Sequence, residues 1–184
     1  MSTQGEVGAP PSLPQHAFGP VGRGLLLVCK VAASGGGLIF TALVVMSIVS
    51  ITGRKLFGMP VPGDVELLQL CAAIAGSTFF AYCHLVRGDV MVDFFTQRWH
   101  PAAIHVLDGI GSLLVAGFGG VIAWRTAASA LTVKASGEET MLLGLPQWWG
   151  PMLMVPGFVL LALAGLYMAM QHLRDVAGAL EGRR

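Results

Sequence analysis

The run from Val65 to Val86 constrains this chain most. As a helix it rises about 33 Å, and a bilayer's hydrocarbon core is about 30 Å thick. Its charged or imidazole side chains, Glu66 and His84, sit near its ends, within reach of headgroups or water. A Pro-Gly-Asp turn at Pro62–Asp64 opens the run, and Arg87-Gly88-Asp89 closes it. Such a segment is a transmembrane helix, and the rest of the chain matches it. Only 11% of the residues are charged and 54% are hydrophobic, whereas a soluble domain carries about 25% charged residues. Mean hydropathy is +0.71. The chain holds 25 glycines, a residue more frequent in membrane helices than in soluble ones.

Three further apolar stretches follow the same logic. Val31–Thr52 carries no charge. Its Gly35-Gly36-Gly37 would weaken a soluble helix but permits close backbone contact in a membrane. The third stretch spans about Ile104–Trp124 and the fourth about Met152–Met170. The apolar pattern continues weakly from Ala127 to Val133, which implies a third helix protruding from the membrane. Pro156 is expected to kink the fourth helix or mark its first turns. Between spans two and three, Met91, Phe94, Phe95 and Trp99 share one side of the Asp89–Pro101 segment, which reads as a short helix lying in the interface. The expected fold is all-α: an integral membrane protein with four transmembrane helices and a short interfacial amphipathic helix between helices two and three.

Residues 1–24, rich in Gly, Pro and Ser, read as a disordered tail. They lack the short apolar core and cleavage site of a signal peptide, so the first span is expected to be a retained anchor. The four-helix domain is placed at 25–174 and a second tail at 175–184. Four spans put both termini on one side. Arg23, Lys30, Arg87, Arg98, Arg174, Arg183 and Arg184 lie on that side, against Arg54, Lys55, Arg125 and Lys134 on the other. The positive-inside bias therefore expects cytoplasmic termini.

Local signals agree with the helix assignments. Asp64 is placed to cap the second span, with its side chain accepting from early backbone N–H groups. Glu66 lies in the first turn, where the helix dipole favours an anion. Arg87 suits the last turn, and Gly88 the left-handed residue after it. Ala73, Ser77 and Ala81 repeat every fourth residue, as do Ser112, Ala116 and Gly120, giving small-residue stripes for helix packing. Trp148-Trp149 suits a membrane–water boundary.

Chemical signals are sparse. No nucleotide-binding loop, paired-Cys motif or nucleophile elbow occurs, so no enzyme, metal or cofactor is expected. Cys29, Cys71 and Cys83 form no close pair and read as apolar filler. A net charge of +1 offers no bulk basic surface for nucleic acid. Glu66 reads as a helix-start residue or interhelical partner rather than a proton carrier, because charges deep in a span mark ion paths more often than charges at its ends. Asp108, about one turn inside span three, is expected to face protein or water, with Lys30 or Arg87 as its candidate partner. His84 and His105 on neighbouring helices give a second reading, a haem-binding membrane anchor of a respiratory enzyme, although neither lies well inside the membrane. A complete transporter holds substrate at the midplane with broken helices and repeats. Here the midplane is Ala, Gly, Val, Leu and Phe, so the chain reads as one subunit of something larger.

Over about Val31–Leu173 the sequence resembles the small membrane subunit, DctQ type, of tripartite ATP-independent periplasmic (TRAP) transporters. Glu66, Gly76 and Arg87-Gly88-Asp89 followed by Val92-Asp93 match that family's pattern in order and spacing. Gly137, Thr140 and Leu143-Gly144-Leu145-Pro146-Gln147-Trp148 resemble its Gly-to-Pro-Trp segment before the last span. Asp89 departs from the pattern, and no role is carried over to it. The resemblance implies a bacterial inner-membrane subunit that is not an enzyme and has no cofactor. Its partners would be the lipid bilayer, a large membrane subunit that moves an organic anion with sodium, often a carboxylate, and a periplasmic binding protein that delivers it. Glu66, Arg87, Asp93 and Asp108 would then fix helix ends and the partner interface. The Gly53–Gly63 and Ala135–Trp149 loops, with Arg54, Lys55, Glu138 and Glu139, would face the binding protein.

Overall fold

A computed structural model describes residues 19–58, 62–86 and 101–181, without the side chains of 101–105 and 175–181. Four helices emerge: α1 (Pro20–Phe57), α2 (Asp64–Leu85), α3 (Pro101–Ser136) and α4 (Trp149–Glu181). All four are long and apolar enough to cross a membrane. Among the described residues the only β pairing is an isolated bridge between Glu139 and Pro146. The protein is an all-α membrane protein. The expected interfacial helix over Asp89–Pro101 lies outside the described residues, apart from Pro101, where α3 begins.

Only α2 is close to its apolar run. At 22 residues it rises about 33 Å, while the 38 residues of α1 and 36 of α3 rise about 57 Å and 54 Å. Hydropathy marks where lipid begins, but backbone hydrogen bonding continues beyond that line. Thus α1 starts at Pro20, a residue whose fixed φ and missing N–H suit a first turn, and α4 runs on to Glu181. Pro156 lies inside α4 without ending it. Gly58, at φ 66°, stops α1, and Arg54 and Lys55 occupy its last turn, where the dipole favours cations.

The helices pack as a row, α1–α2–α4–α3, with α1 also touching α4, and no substantial packing joins α1 to α3. The contacts are made by small residues. Buried α1 positions fall seven apart, at Gly22, Cys29, Gly36, Leu43 and Ser50. This is the spacing that keeps one seam facing a neighbour. Of the three consecutive glycines, Gly36 makes the close approach: a Cβ there would stand 3.1 Å from the Ala75 carbonyl oxygen, while Gly35 and Gly37 face open space. Parallel α2 and α4 meet where Gly157 lies against Ser77, and antiparallel α3 and α4 where Gly165 lies against the backbone of Ser112 and Ala116. Near the chain termini, α1, α2 and α4 converge on a small core of Cys29, Ala81, Leu85, Ala164 and Met168.

Candidate functional site

Polar side chains gather at the end of the row opposite the chain termini, where the α1–α2 turn meets the α3–α4 loop. The Ser50 hydroxyl donates to Asp64 Oδ2 at 2.5 Å, and the Val65 N–H donates to Asp64 Oδ1 at 2.8 Å. Arg54 Nη2 is 3.5 Å from the same Oδ2. Asp64 therefore joins α1 to α2 besides holding one early N–H. The cap position itself belongs to Gly63, at φ 72°, with no side-chain cap bond. Glycine is required there twice over: the φ is left-handed, and a Cβ would collide with the Leu143 side chain.

The α3–α4 loop is folded rather than slack. Gly137, at φ 67°, leads out of α3. The Thr140 N–H donates to the Leu145 carbonyl at 2.8 Å, and the Leu145 N–H donates to Thr140 Oγ1 at 3.0 Å. The Gln147 N–H donates to the Glu138 carbonyl at 3.0 Å. Glu66 ties this loop to α2: its Oε1 accepts the Leu142 N–H at 3.1 Å, and its Oε2 is buried with no hydrogen-bond partner. Met141, at the loop tip, is 99% exposed. Lys134 Nζ lies 4.8 Å from the centre of the Trp148 ring, a cation–π contact at the base of the loop. Lys55 is exposed, and Glu138 accepts the Ser136 hydroxyl at 3.0 Å. Glu139 pairs with Pro146 through the isolated bridge. The structure thus brings Arg54, Lys55, Glu66, Glu138 and Glu139 to one end.

The other singled-out residues are distributed elsewhere. Arg87, Gly88 and Asp93 lie outside the described residues, and α2 ends at Leu85 with Val86 as its C-cap. Ser77 and Ala81 are buried and Ala73 is half-buried. Ser112 is buried and Ala116 half-buried against α4, whereas Gly120 faces open space and Gly119 approaches Ala162. Asp108 is half-buried and, among the described residues, makes no ion pair with Lys30, because α3 and α1 are the two outer helices of the row. His84 is half-buried, and the His105 side chain lies outside the described residues. Among the described residues no three His, Cys, Asp or Glu side chains gather as metal ligands would. His172, which nothing in the sequence singles out, is 1% exposed and packs on Gly109 of α3.

Four apolar helices stand in a row, tied together at the looped end and, among the described residues, with no metal-ligand cluster. Residues 43–175 match a protein family described as tripartite ATP-independent periplasmic transporters, DctQ component. The chain belongs to the DctQ family. The matched residues hold the second part of α1, all of α2 and α3, and α4 as far as 175, so the whole looped end lies within the DctQ match. As a DctQ component the chain is a small permease subunit of a TRAP transporter, a multi-pass membrane protein that works with other components of such a system. Nothing in the match supports the two-histidine haem reading. No curated protein and no solved structure matches the chain.

Proposed function

We propose that this subunit is the non-catalytic scaffold for the large membrane subunit of its transporter. That transporter takes up an organic anion, often a carboxylate, with sodium, after a periplasmic binding protein delivers it. The observation that carries this reading is the packing order. Four helices in a row, joined by small residues, leave wide faces for a second membrane protein, and the described charged side chains lie toward the two ends of the helices instead of midway. Solute sites in secondary transporters lie near the midplane between repeats, and the middle of each helix here carries no charged side chain.

In the same reading the chain sits in the bacterial inner membrane with both termini cytoplasmic, its helices running from Pro20 to Glu181 and so beyond the 25–174 expected from hydropathy. The looped end then faces the periplasm. Arg54, Lys55, Glu138 and Glu139 form a mixed-charge surface suited to a soluble partner, with Glu66 holding the loop behind it. Asp108, Arg87 and Asp93 belong to helix ends or the large-subunit interface. The test is uptake of a labelled organic acid in cells whose growth on that acid requires the complete system. Removing this subunit alone abolishes uptake, and supplying it again restores uptake together with co-purification of the large subunit. Undiminished uptake without it would end the scaffold reading.

A further inference from the structure

We propose that the groove between α1 and α4 is a binding site for one phospholipid with an anionic headgroup. The groove has a volume of about 360 Å³, within the range of small-ligand sites. Val21 and Leu25 line it from α1, and Leu163, Leu166 and Met170 from α4. Its polar groups come from one end only. Arg174 is exposed there, and Gln171 donates from its side-chain amide to the Tyr167 hydroxyl at 2.8 Å.

Dimensions and charge both select a lipid. From Leu163 to Arg174 the α4 axis rises about 16 Å, close to half of a hydrocarbon core about 30 Å thick. The groove therefore has the length of one leaflet: an acyl chain lies along the leucines, and the headgroup phosphate reaches the Arg174 guanidinium and the second amide hydrogen of Gln171. Basic residues at the membrane edge of an interhelical groove are a recurrent lipid-headgroup site. A second groove, between α1 and α2, provides the contrast. Phe40, Leu43, Val44, Ile48 and Leu68 line it with no charged group, so nothing there distinguishes one headgroup from another. The inference goes beyond the scaffold reading and does not depend on it.

The test is native mass spectrometry of the full-length protein released from mild detergent, offered phosphatidylglycerol and phosphatidylcholine in equal amounts. One phosphatidylglycerol is retained in preference. Arg174→Gln, an exposed change that leaves the packing intact, lowers that preference about fivefold, the effect of one cation at a membrane surface. Leu166→Trp fills the groove and removes the retained lipid, and Ile48→Trp in the α1–α2 groove leaves it in place. Equal retention of the two lipids, or retention unaffected by both Leu166→Trp and Arg174→Gln, overturns the proposal. So does efficient cross-linking of Leu166→Cys to the co-purified large subunit, since a protein helix would then occupy the groove.

Discussion

Removing the Glu66 carboxylate tests whether the α3–α4 loop is held or merely rests on α2. The perturbation is Glu66→Ala, with Glu66→Gln beside it. In the wild-type protein one hydrogen bond crosses between the loop and α2, from the Leu142 N–H to Oε1 at 3.1 Å. Hydrogen bonds to charged groups contribute about 1.5–3 kcal/mol net. Because Leu142 is 69% exposed, water competes for the same N–H, and the low end, about 1.5 kcal/mol, is the appropriate figure. Leu143 against Gly63 remains in place in the variant, so the loop loosens without detaching. A local loss of that size raises the open population about tenfold.

The assay is hydrogen exchange by mass spectrometry on peptides covering residues 138–147, in the same detergent for each variant. Glu66→Ala accelerates exchange in that peptide about tenfold and leaves α3 and α4 peptides unchanged. Glu66→Gln keeps a carbonyl acceptor for Leu142 and places an amide where the partnerless Oε2 is buried, so it stays within about threefold of wild type. Identical exchange in wild type and Glu66→Ala would refute the clamp. Faster exchange throughout α2 would also refute it, since Glu66 would then be stabilising the helix start through the dipole instead.

Three other outcomes follow from the packing and the loop. Gly165→Leu places a Cβ 2.8 Å from the Ala116 nitrogen and costs about 1–3 kcal/mol or more as α3 and α4 are pushed apart. Gly120→Leu, into open space, does not, and thermal unfolding in detergent separates the two. Lys134→Ala removes the cation from Trp148 and costs about 0.5–1 kcal/mol. It shifts the tryptophan emission, whereas an unmoved spectrum would mean the ring is fixed by other contacts. Under the proposed docking role, reversing charge at Glu138 and Glu139 together, both exposed, lowers uptake at limiting binding protein and leaves co-purification of the large subunit unchanged. Loss of both would move these residues to the membrane-subunit interface.

What the residues disclosed beforehand, and what they did not, follows from which forces are local. Span existence was legible because length and apolarity are properties of one segment, and α2 was legible almost to the residue because Pro62-Gly63 breaks the chain beside it. Helix ends were less so: α1 outruns its apolar run, because the same backbone bonds form on either side of the lipid boundary, whereas the weak apolar continuation from Ala127 to Val133 did mark the run of α3 to Ser136. The stripe on α3 shows a geometric limit. Each step of four residues turns a helix about 40° past a full turn, so Gly120 has drifted about 80° from Ser112, while a seven-residue step returns within about 20°. That is why Gly119 meets α4 and Gly120 does not. The Leu142–Glu66 bond and the Ser50–Asp64 bond join distant residues and had no local signature. Ser50 nonetheless falls on the seven-residue repeat with Gly22, Cys29, Gly36 and Leu43, a periodicity that a search at seven instead of four would have found.

The same packing explains why so much of this chain's stabilisation must come from contact shape. Between 17% and 28% of the most apolar window of each helix is buried within the chain. In lipid an apolar side chain gains little by moving from acyl chains to another helix, so association depends on close fit and polar links. Glycine at 36, 157 and 165 supplies the fit by letting backbones approach. Asp64 and Glu66 supply the links at one end of the row, Asp64 to Ser50 of α1 and Glu66 to Leu142 of the α3–α4 loop. Both devices act along seams and at one end, and neither requires the helices to close into a ring. A row fastened this way keeps its broad apolar faces available, and covering one of them with a larger membrane protein adds fit of the same kind without displacing any contact the subunit already makes. Substitutions at the seam glycines should therefore weaken the subunit itself, whereas bulky residues at the open positions Gly35, Gly37 and Gly120 should leave it folded and affect only what packs against it.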